Sequence, residues 1–265
     1  MVMGVINVTP DSFSDGGLYL TPNNALAQAR ALIAKGADIL DIGGESTRPG
    51  ATPVDEAEEI ARVVPVIAAI AAETGVPISI DTMKPAVARA AVAAGASIWN
   101  DVTALGWSPD SPAVAADLGC EVVLMHMRGE PRTMQAAPRY DDVTAEVCRH
   151  LSERARVARE AGVAREALWL DPGIGFGKTA AHSLTLLSQL DRVVALGFPV
   201  LLGVSRKSFL KAIDPTAERA EDRLGGSIAA ALAGARAGVA AVRVHDVRET
   251  VQALVVQAAI QAAGA

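Results

Sequence analysis

Short apolar runs alternate with longer amphipathic segments along the whole chain. The apolar runs lack strict alternation with polar residues, which is typical of parallel strands covered on both faces. We predict eight strands from this pattern. They are Val2–Asn7, Ile39–Ile42, Ile78–Asp81, Ile98–Asp101, Glu121–Met125, Leu168–Asp171, Val200–Gly203 and Val239–Val244.

Helix-length segments separate the predicted strands. Seven of the eight strands follow a glycine placed just past a predicted helix, where helices commonly end. The predicted helices are Asn23–Lys35, Val54–Thr74, Pro85–Ala94, Ser111–Leu118, Asp142–Ala161, His182–Leu196, Glu221–Ala237 and Val247–Ala263.

Eight strand–helix units in 265 residues predict an α/β fold, a single (β/α)8 TIM barrel. A doubly wound open sheet is the alternative, but such sheets usually have about five to seven strands. No linker or low-complexity run divides the chain, so we expect one domain over residues 1–265.

Composition narrows the classes of function. The chain has 24 basic and 30 acidic residues and a net charge of -6, which argues against a nucleic-acid partner. It shows no signal-like leader and no apolar stretch of roughly 18 residues, so we expect a soluble, cytoplasmic protein without a membrane partner. Cys120 and Cys148 lack the spacing of a zinc site, and we expect two reduced thiols.

Polar, glycine-rich segments follow several predicted strands, and in a barrel these loops form the active site. Asn7 ends the first strand and offers a hard amide oxygen of the kind that Mg²⁺ accepts. Phe13 lies in the same polar loop without an obvious core partner. Arg48 in the second loop is suited to clamp a phosphate, although a solvated turn arginine is an equally simple interpretation.

Three further strands end in polar residues, namely Asp81, Asn100 and Asp171. Each residue alone could be a helix cap or part of a turn. A carboxylate that ends a buried strand is costly without a partner, so jointly they predict a polar rim for a flat ligand rich in hydrogen-bond donors.

The last two strands predict an anion site. Lys207 and Ser208 follow the seventh strand, and Ser208 could receive an anion if a helix begins there. Arg243 and His245 are two positions apart, so both point to the same side of the eighth strand. In this fold the loops after strands seven and eight usually bind phosphate.

Other features of the sequence give weaker evidence about function. The segment Asp171–Thr179 fails the Walker and dinucleotide patterns, because Pro172 and Lys178 stand where glycines are required. His126 follows the fifth strand without a clear role. His150 and His182 lie on predicted helices, where we expect surface or capping residues.

Taken together, these loops resemble the dihydropteroate synthase family of the folate pathway. The matching motifs occur in family order over nearly the whole chain. They are Asn7–Gly17, Gly43–Gly50, Ser79–Asp81, Trp99–Asp101, Leu124–Met127, Asp171–Lys178, Ser205–Ser208 and Arg243–His245. The resemblance implies a (β/α)8 barrel, Mg²⁺ as cofactor and a homodimer. It also implies that 6-hydroxymethyl-7,8-dihydropterin pyrophosphate is joined to p-aminobenzoate, giving 7,8-dihydropteroate and pyrophosphate.

The resemblance also implies roles for individual residues. The implied catalytic residues are Asp15, Arg48, Lys207, Arg243 and His245. The implied pterin-binding residues are Asp81, Asn100, Met125, Asp171 and Lys207, and the implied p-aminobenzoate pocket is Phe13, Pro49, Phe176 and Ser208. Asn7, through the metal, would hold the diphosphate together with Arg243 and His245. Thr47 would contact substrate, and Asp15 and Arg48 would lie in loops that close over it.

One departure and two alternatives remain. The family normally begins with about fifteen more residues that form a strand pair across the barrel floor, so the stability of the chain is in question more than its chemistry. A pterin-dependent methyltransferase would share the acidic and amide rim, but it needs no pyrophosphate site. A paralogue that binds pterin without turnover is the alternative outside enzymes.

Overall fold

The computed structural model describes residues 1–8, 22–46, 52–129 and 133–263. Its strands are β1 (Val2–Asn7), β2 (Ile39–Gly43), β3 (Ile78–Asp81), β4 (Ile98–Asp101), β5 (Glu121–Met125), β6 (Leu168–Asp171), β7 (Leu201–Gly203) and β8 (Ala241–Val244). Five of these eight strands have the predicted bounds, and the other three differ by one or two residues.

The described ranges contain ten α-helices, whereas the sequence predicted eight. They are α1 (Pro22–Ala34), α2 (Glu56–Glu73), α3 (Pro85–Ala93), α4 (Ser111–Leu118), α5 (Val143–Glu160), α6 (Ala180–Ser188), α7 (Leu190–Val194), α8 (Ser208–Ile213), α9 (Leu224–Ala237) and α10 (Val247–Ala263). No helix within these ranges is long and apolar enough to cross a bilayer.

The eight strands form one parallel sheet in the order β6-β5-β4-β3-β2-β1-β8-β7. A parallel bridge between Leu170 and Val200 joins the two ends of this order, so the sheet closes on itself. The predicted TIM barrel is therefore confirmed, and the open-sheet alternative is wrong because the bridge between Leu170 and Val200 joins β6 to β7, the two strands at the ends of the order.

The single helix predicted over residues 182–196 is wrong. It breaks at Gln189, whose φ of -122° and ψ of 28° are not helical, and this separates α6 from α7. A capping box formed by Thr179 and His182 begins α6 at Ala180. The six-residue α8 was not predicted, because so short a segment shows no complete apolar period.

Side chains inside the barrel change character from floor to mouth. The floor is an apolar cluster of Met3, Ile39, Ile98, Val123, Trp169, Leu201 and Ala241. Successive residues of a strand face opposite sides, so the residue two positions further along each strand also faces the interior. On four of these strands that residue is polar: Asp41, Asn100, Asp171 and Arg243. The strand period thus places charged and amide groups at one end of the barrel.

Candidate active site

The carboxyl ends of the strands bring most of the predicted site residues to one mouth. Asn7 and Asp81 end β1 and β3, and both are neighbours of Gly43 at the end of β2. Asn100 is paired with Asp81 in the register of β3 and β4. Five predicted residues lie outside the described ranges, namely Phe13, Asp15, Thr47, Arg48 and Pro49.

Arg243 lies inside the barrel and bridges two carboxylates. Its Nε donates to Asp41 Oδ2 at 2.5 Å, and its Nη2 donates to Asp81 Oδ2 at 2.7 Å. Asp41 is completely buried, so its charge depends on this partner. Asp41 was not among the predicted site residues, although an acidic residue two positions after Ile39 in a buried strand is the signal that could have found it.

Asp81 is an acceptor that its neighbours leave partly unused. Its Oδ1 is buried and has no hydrogen-bond partner within the described part of the chain. Burial raises the pKa of Asp81 to about 7; Arg243 opposes this shift and Asp41 reinforces it. A donor-rich ligand at the mouth could satisfy this oxygen.

Asp171 and Lys207 form the opposite wall. Asp171 Oδ1 accepts from the Gly173 amide at 2.7 Å, and Lys207 Nζ donates to the Ile174 carbonyl at 2.5 Å. A Cβ on Gly203 would stand 3.6 Å from Lys207 Nζ and 3.9 Å from Asp171 Oδ2, so both groups lie beside the end of β7. Burial lowers the pKa of Lys207 to about 8, while Asp171 opposes that shift. Burial also raises the pKa of Asp171, while the charge of Lys207 opposes that shift.

An apolar patch lies beside these charges. Met125 is buried with Met83 and Val102, and the half-buried Met127 and Phe176 pack against them. Lys207 Nζ lies 4.6 Å from the centre of the Phe176 ring, in a cation–π contact. The predicted residues Met125 and Phe176 therefore belong to one surface that suits the face of a flat ring.

His245 is fixed by a residue that sequence reasoning missed. Its Nδ1 lies 3.0 Å from the Ser205 hydroxyl, which also accepts from the His245 amide at 3.2 Å. The adjacent Arg206 and Asp246 form a two-bond ion pair, with distances of 2.9 Å and 2.5 Å, that joins the loops after β7 and β8. The seventh and eighth loops are thus held together, as a shared anion site requires.

A helix begins beside Lys207, which meets the condition that the sequence set for an anion site at Ser208. Lys207 is the N-cap of α8 and the exposed Ser208 is its first residue. His182 caps α6 as predicted. The surface position predicted for His150 is wrong, because its Nε2 is buried in the packing of α5 against the barrel.

A buried ion cluster around Lys84 joins Glu45 and Val54, described residues on either side of the second loop. Lys84 Nζ donates to Glu45 Oε2 at 2.7 Å, to Glu59 Oε2 at 2.6 Å and to the Val54 carbonyl at 2.5 Å. Glu45 Oε1 also accepts from the Val54 amide at 3.2 Å. These contacts hold Glu45 and Val54 together at the edge of the barrel.

The chemistry of Asn7 fits a magnesium ion that keeps most of its water. The Asn7 Oδ1 atom lies 3.7 Å from the point where a Cβ on Gly43 would stand, and Asp81 Oδ2 lies 3.9 Å from the same point. Within the described residues no group of three His, Cys, Asp or Glu side chains could hold a metal. Mg²⁺ is commonly bound by one or two protein oxygens, with waters and phosphate oxygens completing the octahedron.

Comparison with known proteins gives a consistent result. The chain matches the family described as pterin binding enzyme over residues 3–245. Dihydropteroate synthase from Escherichia coli strain K12 is 48% identical over 265 residues, which cover 98% of this chain and 92% of that protein.

Two solved structures share the fold and much of the sequence. Dihydropteroate synthase from Xanthomonas albilineans with 4-aminobenzoic acid is 52% identical and covers 98% of this chain and 93% of that one, with a TM-score of 0.92. The same protein in complex with 7,8-dihydropteroate is aligned at 49% identity over 98% of this chain and 93% of that one, with a TM-score of 0.89.

The barrel and its mouth thus define a pterin-binding enzyme. Within that class, the chain belongs to the dihydropteroate synthase family.

Proposed function

We propose that this chain condenses 6-hydroxymethyl-7,8-dihydropterin pyrophosphate with p-aminobenzoate, releasing pyrophosphate and 7,8-dihydropteroate. The observation that carries the proposal is the shared mouth, where Asp81 and Asp171 can accept from a heterocycle while Arg243 and His245 stand nearby for an anion. Relatives about half identical over the full chain are named for this activity.

The pterin ring would bind between the two acidic walls. Its amino and ring N–H groups would donate to Asp81 and Asp171, and Lys207 would donate to a ring acceptor. Asn100, which is 5% exposed, can both donate and accept beside Asp81. Met125 would pack against the face of the ring.

The diphosphate would lie toward β1 and β8. Asn7 would hold Mg²⁺, and Arg243 and His245 would bind the diphosphate oxygens directly. When bound, Mg²⁺ would neutralise part of the negative charge of the leaving group. Arg243 is already held by two carboxylates, so its orientation is set before substrate arrives.

We assign the reaction to departure of pyrophosphate before attack of the amine. The C–O bond breaks with its electron pair leaving on the diphosphate, and the electron-rich ring shares the positive charge. Asp171 would stabilise that charge through its hydrogen bonds to the ring. The p-aminobenzoate nitrogen then forms the C–N bond and loses a proton to water, so no strong base is needed.

Residues outside the described ranges complete this proposal by family resemblance. Asp15 and Arg48 would cover the site, and Thr47 would contact substrate. Phe13 and Pro49 would join Phe176 and Ser208 around p-aminobenzoate. Exclusion of water from the cation is the physical reason for such a cover.

A coupled assay of pyrophosphate release, together with chromatographic detection of dihydropteroate, tests the proposal. Both products should appear only when both substrates and Mg²⁺ are present. A methyltransferase would release no pyrophosphate, and a pterin-binding paralogue would bind the pterin substrate without forming either product.

We extend the proposal to a homodimer that buries the outer face of α10. Val255, Val256 and Ile260 are 63%, 52% and 68% exposed, which is unusual for three aliphatic side chains on one helix. A groove of about 680 Å³ between α9 and α10 continues this apolar surface. A second copy of the chain would cover it.

Cys120 and Cys148 are free thiols, as a cytoplasmic location would require, and that location stays a prediction.

A further inference from the structure

Lys178 is a buried lysine that the mechanism does not use. It is 3% exposed, and its Nζ atom contacts four acceptors. These are His126 Nδ1 at 2.9 Å, the Gly173 carbonyl at 2.9 Å, the Phe176 carbonyl at 3.1 Å and the His126 carbonyl at 3.3 Å. None of these partners is a carboxylate, so Lys178 forms no ion pair within the described residues.

The acceptors belong to two segments that line the mouth. Gly173 and Phe176 lie in the turn after β6, and His126 follows the end of β5. Lys178 therefore ties the turn to the neighbouring strand end.

The turn between these carbonyls carries two groups of the site. The Gly173 amide donates to Asp171, and the Ile174 carbonyl accepts from Lys207. The Phe176 ring lies against Lys207 as well. Any displacement of residues 173–176 would therefore change the separation of Asp171 and Lys207.

The turn also has little room on its other side. At Gly173, where φ is +64°, a Cβ would stand 2.0 Å from the His126 carbonyl oxygen. The two backbones thus meet directly, and Nζ of Lys178 donates to the His126 and Gly173 carbonyls at this contact.

Aromatic side chains pack near Lys178. The rings of His126 and His150 are 4.8 Å apart, and the Tyr140 hydroxyl donates to the Gly177 carbonyl at 2.8 Å. Burial lowers the pKa of His126 to about 2, which leaves its ring neutral and able to accept from Lys178. Burial likewise holds the pKa of Lys178 well below its usual value.

We propose that Lys178 is a positioning residue for pterin binding: the hydrogen bonds of its Nζ group fix the turn 173–176, and the turn fixes Asp171 relative to Lys207. The inference rests on the proposed function, since it assigns these two groups to the pterin ring. It concerns a residue that touches neither substrate nor reacting atoms.

Binding of 6-hydroxymethylpterin, which carries the ring without a diphosphate, provides the measurement. We expect Lys178→Met to raise the calorimetric Kd roughly ten- to a hundredfold, because a small misplacement of binding groups has effects of that size. Lys178→Gln keeps two N–H donors and should have an intermediate Kd. The exposed Lys35, whose side chain forms no hydrogen bond or ion pair within the described residues, gives the matched control Lys35→Met, and its Kd should equal that of the wild type.

A double-mutant cycle separates positioning from simple stabilisation. If Lys178 acts through Lys207, the loss of affinity in the double variant Lys178→Gln with Lys207→Met should be much smaller than the sum of the two single losses. Lys178→Gln with Asn100→Ala, on the opposite wall, should be closer to additive. Lys178→Gln serves in the cycle because it retains hydrogen bonds to the turn and so preserves the fold.

The outcomes are distinct. A lower melting temperature with an unchanged Kd, or an additive cycle with Lys207, would overturn the positioning role. Failure of the wild type to bind 6-hydroxymethylpterin would overturn the proposed function instead. A raised Kd with strong non-additivity supports the inference.

Discussion

Arg243 and Asp81 are 162 positions apart in the chain, yet Arg243 Nη2 lies 2.7 Å from Asp81 Oδ2 across the barrel mouth. The same guanidinium binds Asp41, which is completely buried. One cation therefore compensates two acidic groups from β2 and β3, and it does so where the diphosphate is proposed to bind. The ion pairs of the barrel and the proposed binding of substrate thus involve the same side chain.

We expect Arg243→Ala to reduce both stability and turnover. Removing one partner of a buried ion pair costs about 3–5 kcal/mol, because the remaining charge is left uncompensated. Chemical denaturation should show that loss in the free energy of unfolding. Steady-state rates of pyrophosphate release should fall by a larger factor than the pterin affinity does.

The double variant Arg243→Ala with Asp41→Asn separates the two effects. Neutralising Asp41 removes most of the uncompensated charge, so stability should return in part. Activity should stay low, since the anion site still lacks its guanidinium. Full recovery of turnover in the double variant would show that Arg243 does not bind the diphosphate.

The raised pKa of Asp81, about 7 and caused mainly by burial, predicts a pH dependence of pterin use. Protonated Asp81 is a weaker acceptor for the ring, so kcat/KM for the pterin substrate should rise with pH through about 7. This parameter reports ionisations of the free enzyme. In the ratio of wild type to Asp81→Asn, ionisation of the diphosphate cancels, and the rise through pH 7 should remain.

Stability should change in the opposite direction. The folded pKa of Asp81 lies above the ordinary value of 3.8, so the folded state binds the proton more tightly than the unfolded state does. The contribution of Asp81 to the free energy of unfolding is therefore largest below pH 3.8 and is lost as the pH rises through about 7. Urea titrations of wild type and Asp81→Asn across this range measure it. Parallel curves for the two proteins would contradict the shifted pKa.

The fold could be predicted from the sequence because each buried parallel strand is a continuous apolar run with a glycine-ended helix before it. The polar residues at the ends of β3, β4 and β6 could be recognised because each one terminates such an apolar run. The ion pairs of the site could not be predicted. Asp41 interrupts an apolar run, and its partner Arg243 is 202 positions away in the chain. Ser205 was likewise recognisable only once β7 and β8 were adjacent.

We expect Asp171→Asn to weaken pterin binding by about 1.5–3 kcal/mol, the usual value of a charge-assisted hydrogen bond. The amide oxygen can still accept from the Gly173 amide, so the turn should keep its conformation and the melting temperature should change little. Calorimetry with 6-hydroxymethylpterin measures the effect. An unchanged Kd would remove Asp171 from the ring site.

In the proposed site, Asn7 would provide the protein oxygen for Mg²⁺. We expect Asn7→Ala to raise the Mg²⁺ concentration that gives half-maximal pyrophosphate release by about tenfold or more, as losses at metal sites commonly do. Chelation of Mg²⁺ should abolish turnover in wild type. Asn7→Asp adds a charged oxygen ligand and should lower the required concentration. If neither variant changes the Mg²⁺ dependence, the metal lies elsewhere.

The exposed apolar face of α10 predicts how the proposed dimer could be disrupted. Ile260 is 68% exposed, so Ile260→Glu should leave the monomer fold intact. Burying a carboxylate against Val256 of a second copy should weaken the dimer by about 2 kcal/mol or more, roughly a thirtyfold rise in its Kd. Sedimentation at micromolar concentration measures the shift. The control Ala72→Glu adds the same charge to an exposed position of α2, which packs against α1 and α3, and should sediment as wild type does. If both variants sediment like the wild type, a second copy does not cover α10.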